Sequence, residues 1–412
     1  MTVPYFTRYN STVHINNNSF QRNSNISRVV ETIWRNSTVS RVEISRQLDL
    51  YRSTVSNIIN LLLEKNVVIE TESGASTVLG GRKPVFLTLN AAFGCVVGIE
   101  IQPHKYHAVA VDINSEIIYR KKGRTEGDTF TDRLDAIVSE IKPDIQKLNV
   151  PVLAVCTGMP GIIDPDKGRI IESVPLELHN LDFSKKFSER YGIPVFAEND
   201  ARCCAWLDTV RHRKENIRDF IAVIAEYHEK RVNDKTRAGL SAGLAFSVDG
   251  AIRYGRNFTA GEFVSLSWRP EREGQTGLSA QITDHITTDV EAFKAWLTDF
   301  FATMTPIITA FAPDVLYLHG YPVQYKDFVL ATIETCVPQF SAVLEKNGCT
   351  MEFAQVDDFN VACGAACRYL KKLFSVPDIT FHGEGSNPID WDTVFETVDA
   401  AHAQRATAKV RF

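Results

Sequence analysis

Between Ile26 and Leu63 apolar positions recur every three or four residues, in three short runs. The first covers Ile26–Asn36 and the second Arg41–Leu48. The third sets Val55, Ile58, Ile59 and Leu62 at the spacing of one helix face. In "VVIETESGASTVLGGRKPVFLTLN" the pattern changes: two strand-like runs flank a polar tip with Gly80, Gly81, Arg82 and Lys83. From Phe93 to about residue 373 strand-like and helix-like stretches alternate. "CVVGIEI" and "YHAVAVDI" read as strands at a hairpin-rich sheet edge, and "DRLDAIVSEIKPDIQKL" reads as a helix. "VPVLAVCTGMPG" reads as a buried strand entering a turn built on Gly158, Pro160 and Gly161. "DVEAFKAWLTDFFATMTPIITAF" is apolar all round, the mark of a buried helix. "PDVLYLHGYP" is a strand and turn, and "NVACGAACRYLKKLF" a helix with one small-residue face. This alternation predicts an α/β fold in two halves, divided near residues 200–215, with ligands near strand ends.

The three N-terminal runs carry finer signals. Ser40 precedes the second run with Glu43 three residues on, the spacing of a capping box. Asp49-Leu50 makes the turn, and Asp tolerates the left-handed backbone for which glycine is often used. Tyr51 stands where a Ser cap is more comfortable. Opposite the apolar face of the third run lie Arg52, Ser53, Ser56, Asn57 and Asn60, with Thr54 beside them. Arg forks onto guanine and Asn onto adenine, so this is the surface of a recognition helix. The tip with Gly81, Arg82 and Lys83 reads as a wing for the minor groove. The competing reading is an ordinary helical subdomain with a hairpin loop.

Composition narrows the rest. A chain of 412 residues predicts two or three domains. We expect a flexible arm rich in Asn and Ser over 1–24, a winged helix-turn-helix over 25–90, a two-lobed α/β domain over 91–374 and a C-terminal extension of mixed pattern over 375–412. The net charge of −5 gives no general attraction to nucleic acid, so DNA contact must come from a local basic surface. No apolar run approaches the roughly 20 residues of a membrane span, and no signal core is visible, which predicts a cytoplasmic chain with no membrane partner. The eight cysteines sit mostly in apolar contexts, as reduced core residues do. Cys363 and Cys367 share a helix face but have no partner at zinc-like spacing.

In the middle of the chain "VFAENDARCCAW" sets Asn199 and Asp200 at the end of a strand. A carboxylate there suits two roles: capping the next helix, or accepting from ligand hydroxyls. Farther on, "AGLSAGLAFSVDGAIRYGRNFTAGE" is glycine-rich and ends in Glu262. With "GGRKP", "GMPGIID", "PVFAENDA" and a terminal "GAA", the chain over about residues 25–373 resembles the ROK family of repressors, open reading frames and sugar kinases. The resemblance implies a two-lobed, actin-like and sugar-kinase-like (ribonuclease H-like) domain behind the winged helix-turn-helix. By position it implies that Asn199, Asp200 and Glu262 bind sugar hydroxyls, with the backbone of Gly161 within reach. Asp200 matches the general base of the kinase members.

Three departures follow. Many members continue the Ala-Gly-Glu motif with a His and a Cys-rich zinc segment; here Ser265 holds the His position and no cysteine lies between Cys204 and Cys336, so no metal is expected. Trp268 offers a stacking face there, or is a core or interface residue. Kinase members open the domain with an Asp-Gly-Gly-Thr phosphate loop, but Glu100, Gln102 and Pro103 stand there; Glu repels phosphate and Pro lacks a donor. The adenosine-side glycines are reduced to Gly320. Since phosphoryl transfer rests on positioning the nucleotide, the expectation is no enzyme and no cofactor. It is instead a sugar-responsive transcriptional regulator, read as a repressor, binding an inverted-repeat operator as a homodimer or homotetramer with a monosaccharide or sugar derivative as effector. The alternatives are a sugar kinase with a DNA-binding appendage, and a regulator that answers to a protein partner.

Overall fold

Ser40 starts its helix as the spacing to Glu43 predicts: Glu43 N donates to Ser40 Oγ (3.3 Å) and Ser40 N to Glu43 Oε2 (2.8 Å). The computed structural model describes residues 17–71, 85–228, 239–271, 274–376 and 389–409. Its N-terminal part runs α1 (Asn17–Asn36), β1 (Val39–Ser40), α2 (Arg41–Leu48), α3 (Arg52–Glu64), β2 (Val68–Thr71) and β3 (Phe86–Leu89). Asp49 ends α2 in the left-handed region (φ 51°). No side chain caps α3 at Tyr51. β2 and β3 pair antiparallel, Val68 opposite Leu89, so both stems of the expected wing are formed. Its tip, with Gly81, Arg82 and Lys83, lies outside the described residues. α1 starts at Asn17, so residues 17–24 of the expected arm are helical.

The α/β part comprises two sheets built alike. The first holds β4 (Cys95–Ile101), β5 (Lys105–Asp112) and β6 (Ile117–Arg124), then α4 (Phe130–Lys147) and β7 (Val152–Met159). A small meander of β8 (Ile162–Asp164), β9 (Arg169–Ser173) and β10 (Leu178–Leu181) follows, with α5 (Phe183–Tyr191), β11 (Val195–Asn199) and α6 (Asp200–Arg211). The second holds β12 (Phe220–His228), β13 (Gly239–Val248) and β14 (Ala251–Arg253), then α7 (Ala280–Thr283), α8 (Val290–Phe311) and β15 (Val315–Gly320). It closes with α9 (Lys326–Cys336), α10 (Pro338–Asn347), β16 (Thr350–Phe353) and α11 (Asn360–Phe374). The strand orders are β11-β7-β4-β5-β6 and β14-β13-β12-β15-β16. In each sheet three consecutive strands pair antiparallel, and two later strands add in parallel beside the first of them. β4 is thus the middle strand and not an edge: β7 returns through α4 to its free side. The edges are β11 and β6, and exposed positions of β6 carry Arg120, Lys122 and Arg124.

The helices that follow the last strand of each sheet, α6 and α11, pack on each other. Small residues permit it: a Cβ on Gly364 would lie 1.8 Å from the Cys203 carbonyl oxygen, and one on Gly98 would lie 2.0 Å from that of Ala362. Among the described residues no single helix is long and apolar enough to cross a membrane.

The C-terminal residues form α12 (Trp391–Lys409), which the sequence pattern left unplaced. Trp391 is fully buried, stacked on Phe374 of α11 (6.2 Å between ring centroids), and its Nε1 donates to Ser27 Oγ of α1 (3.2 Å). Ser27 Oγ in turn donates to the Leu373 carbonyl (2.8 Å). Burying a side chain of this size contributes about 4–5 kcal/mol of apolar transfer. One buried cluster therefore runs from Ile26, Val30 and Ile59 through Phe93 and Trp391 to Ala362 and Tyr369.

Candidate functional site

β11 ends in Glu198 and Asn199, and α6 begins at Asp200, so a fully buried strand delivers three polar residues to the carboxyl edge of the first sheet. Asn199 is the helix cap, its Oδ1 accepting from Arg202 N (3.2 Å). Its Nδ2 donates to the Gly161 carbonyl (3.1 Å) and to Asp200 Oδ1 (2.9 Å). Asp200 Oδ1 also accepts from Ala201 N (2.8 Å). Both bonds to Asp200 fall on Oδ1. Capping thus falls to Asn199, and Asp200 is held beside it in a fixed pose. Gly161 has φ 135°, and a Cβ there would lie 2.4 Å from the Glu172 carbonyl oxygen, so the turn requires glycine.

Glu262 reaches the same place from the second sheet. Leu244 N donates to the Gly261 carbonyl (2.9 Å), and Glu262 bridges to Gly243 of β13. Arg202, buried on α6, donates to the carbonyls of Phe258 (2.6 Å) and Ala260 (3.4 Å), tying this turn to the helix that starts at Asp200. The Glu262 side chain is the most open of the four candidates. Burial pushes the Asp200 carboxyl up to about 6, with Glu100 and Glu262 adding to the rise and the Ala201 N–H opposing it. Burial also raises Glu262, against the pull of Arg202.

Glu198 was missed by sequence reasoning, although it belongs to the same tripeptide. It is buried and gathers partners from three elements. Arg368 Nε of α11 lies 3.2 Å from Oε2, the Tyr254 hydroxyl donates to Oε2 (2.8 Å), and Arg202 Nη1 lies 3.7 Å from Oε1. A buried carboxylate so partnered locks α6, α11 and the loop before Glu262 into one arrangement.

On the first sheet, the stretch with Glu100, Gln102 and Pro103 forms a closed polar chain. His107 Nδ1 meets Glu100 Oε2 (2.7 Å), and Gln102 Nε2 donates both to Glu100 Oε1 (2.9 Å) and across to Glu226 Oε2 of β12 (2.6 Å). After Glu262, Ser265 is buried and bonded to Ser267 (2.8 Å), its N–H donates to the Gln275 carbonyl (2.8 Å), and Trp268 is half-buried.

In the N-terminal module Val55, Ile59 and Leu62 of α3 are buried. Arg52, Ser53 and Asn57 are exposed, with Thr54 and Ser56 half-buried beside them. Asn60 is engaged internally, accepting from Arg41 (3.0 Å), which also pairs with Glu70 (3.1 Å).

Residues 96–227, spanning the first sheet and reaching β12, match the ROK family. Over these residues the chain is similar to the ROK family domain. The α/β part and the N-terminal module together are similar to a solved ROK family transcriptional regulator described as a homolog of the Escherichia coli MLC protein: TM-score 0.69 at 17% identity, over 92% of this chain and 99% of that one. The fold is therefore shared with that structure over nearly its whole length, N-terminal helices included. The chain is 28% identical over 244 residues to the xylose repressor of Lactiplantibacillus pentosus, covering 58% of this chain and 59% of that protein. It is 25% identical over 260 residues to the DNA-binding transcriptional dual regulator NagC of Escherichia coli K12, covering 62% of this chain and 60% of NagC. The matched part is thus about three fifths of each of these relatives.

Proposed function

We propose that this protein is a sugar-responsive transcriptional regulator, a repressor of carbohydrate-metabolism genes, and not a kinase. The observation that carries the reading is a physical link: α6 starts at Asp200 and ends under the N-terminal module, where Arg213 lies over the ring of Trp34 in α1. In the proposal Asn199, Asp200, Glu262 and the Gly161 backbone grip a monosaccharide or sugar derivative between the two lobes, of the class named by the xylose repressor relative. Arg52, Ser53, Thr54, Ser56 and Asn57 read an inverted-repeat operator, with Gly81, Arg82 and Lys83 as the wing. The assembly is a symmetric homodimer or homotetramer. Residues 25–90, 91–374 and 375–412 act as DNA module, sensor and clamp. Sugar binding favours one closure of the lobes, and α6 passes that preference to α1.

The kinase alternative needs a phosphate cradle. By the family resemblance Glu100, Gln102 and Pro103 stand in the phosphate-loop region, and Glu100 brings negative charge there in place of donors. A coupled ATP-consumption assay with xylose, glucose and N-acetylglucosamine tests this. The reading expects no turnover above the sugar-free background. Turnover abolished by Asp200→Asn would make the protein a kinase with a DNA-binding appendage.

A further inference from the structure

A cavity of about 200 Å³ lies between the lobes and is walled by β12, β15 and the loop leading into α11. The four candidate sugar residues do not line it. Among its wall residues are Lys105, His107, Glu226, His319, Tyr321 and Asp357. His319 is 0% exposed. Its Nε2 is 2.9 Å from Asp208 Oδ2 of α6, and its Nδ1 has no hydrogen-bond partner among the described residues. A carboxylate only accepts, so Nε2 carries a proton; in the neutral tautomer this leaves a lone pair at Nδ1. A buried acceptor left without a donor costs free energy that a ligand can recover.

Glu226 supplies the second acceptor. β12 and β15 run parallel with Ile224 opposite His319, so Glu226, two residues on, shares the face of His319 at a diagonal position. Diagonal neighbours on one sheet face lie close enough for longer side chains to meet. Asp357 adds negative charge at the rim, where it pairs with Arg120 (3.2 Å). Lys105 stands in the same wall, so the charge preference rests on Glu226: two acceptors call for a donor, and an ionised Glu226 favours one with positive charge.

We propose that this cavity is a second small-molecule site, which takes a compound carrying a protonated amine, its ammonium held between Glu226 and the Nδ1 of His319. Through the His319–Asp208 bond such a ligand also bears on α6, the helix that starts at the sugar site. An ionised Glu226 disfavours an anionic ligand.

Charge on Glu226 couples the site to pH. Glu226 faces Glu100 of β4 and Gln102 just beyond it, Lys105 and His107 from β5, Asp200 from α6 and His319 from β15. Burial, with the Glu100 charge next, pushes its carboxyl up to about 8. An ammonium requires the ionised form, so binding releases a proton below that pH.

The test is isothermal titration of the full chain with putrescine, and with 1,4-butanediol, succinate and Mg-ATP as neutral and anionic probes. Putrescine should bind saturably and the other three should not. Its affinity should rise by about tenfold or more from pH 6 to pH 8, as Glu226 ionises. Glu226→Gln, which keeps the shape and the bond to Gln102, should weaken putrescine by about tenfold or more without lowering the melting temperature. Butanediol or succinate binding as well as putrescine, a flat pH profile in the unaltered chain, or unchanged affinity in a folded Glu226→Gln protein would each overturn the proposal. None of these readouts involves operator DNA or a sugar, so they stand or fall apart from the proposed regulatory function.

Discussion

The Arg213 guanidinium lies 4.8 Å from the centroid of the Trp34 ring, joining the end of α6 to α1 of the N-terminal module. Two further contacts support the junction: Lys214 Nζ donates to Ser37 Oγ (3.2 Å), and Lys371 of α11 pairs with Glu31 of α1 (2.6 Å). Twelve residues of α6 span about 18 Å from the candidate sugar site to this junction.

If α6 is the lever, Arg213→Ala should uncouple the two ends. We expect sugar affinity and sugar-free operator affinity each within about twofold of the parent, while the sugar-induced change in operator affinity collapses from the about 1–3 kcal/mol usual for such coupling. Titrating operator binding with and without sugar, in parent and variant, measures this. An undiminished change would show that coupling takes another route.

Asp200 gives a pH signature. Its carboxyl is pushed up to about 6 in the fold, above the roughly 3.9 of an unfolded chain. As pH rises between these values the unfolded state loses its proton first, so this group's contribution to stability falls through that window and stays lower above it. Asp200→Asn keeps the Oδ1 acceptor and removes the charge. The variant should gain about 1–2 kcal/mol over the parent at pH 7 and nothing at pH 4, read by chemical denaturation. Sugar affinity of the parent should fall as pH drops below about 6, and the variant should lose at least tenfold at pH 7.

For the DNA surface, Arg52→Ala should cost about 1–3 kcal/mol of specific binding and relax base preference at one position. Replacing Arg82 and Lys83 together should weaken all sequences alike and flatten the salt dependence by roughly two phosphate contacts. Unchanged operator binding in both proteins would refute the winged-helix assignment.

α12 is predicted to act as a clamp. Trp391→Ala removes a ring packed on Phe374 and Phe93 and a bond to Ser27, and should cost about 3–5 kcal/mol. A milder change, Asp392→Ala, releases Arg22 and Asn23 of α1 without opening a cavity. Native-state hydrogen exchange in α1 should quicken in Asp392→Ala with little change in β4 or β7. Equal protection of α1 in variant and parent would mean that α12 does not restrain the module.

What could be read in the sequence was local. The Ser40–Glu43 cap, the buried face of α3, the two stems β2 and β3, the strands β4, β5 and β7, and the buried helix α8 are all set by residues within one turn or one strand of each other. The grouping of Asn199 with Asp200 was legible because they are neighbours, and Glu262 only through the family resemblance. The remaining features depend on partners far apart in sequence. Gln102 and Glu226 are 124 residues apart, and His319 and Asp208 are 111 apart. No periodicity encodes such meetings; they follow from stacking two like-built sheets around α6 and α11. α12 went unread because its pattern lacks a strong apolar face, and one Trp fixes its place. β4 was misplaced at an edge since nothing in its own residues reports which strand returns beside it.

The most direct test of a sugar-gated DNA reader is operator binding under sugar titration. The duplex is first selected from random DNA by the full chain, then titrated in fluorescence anisotropy with xylose, glucose and N-acetylglucosamine against parent and Asp200→Asn. The account predicts an inverted-repeat duplex whose affinity moves at least fivefold with one of these sugars in the parent and does not move in the variant. Failure to select any specific duplex, or a sugar response that survives intact in Asp200→Asn, would contradict it.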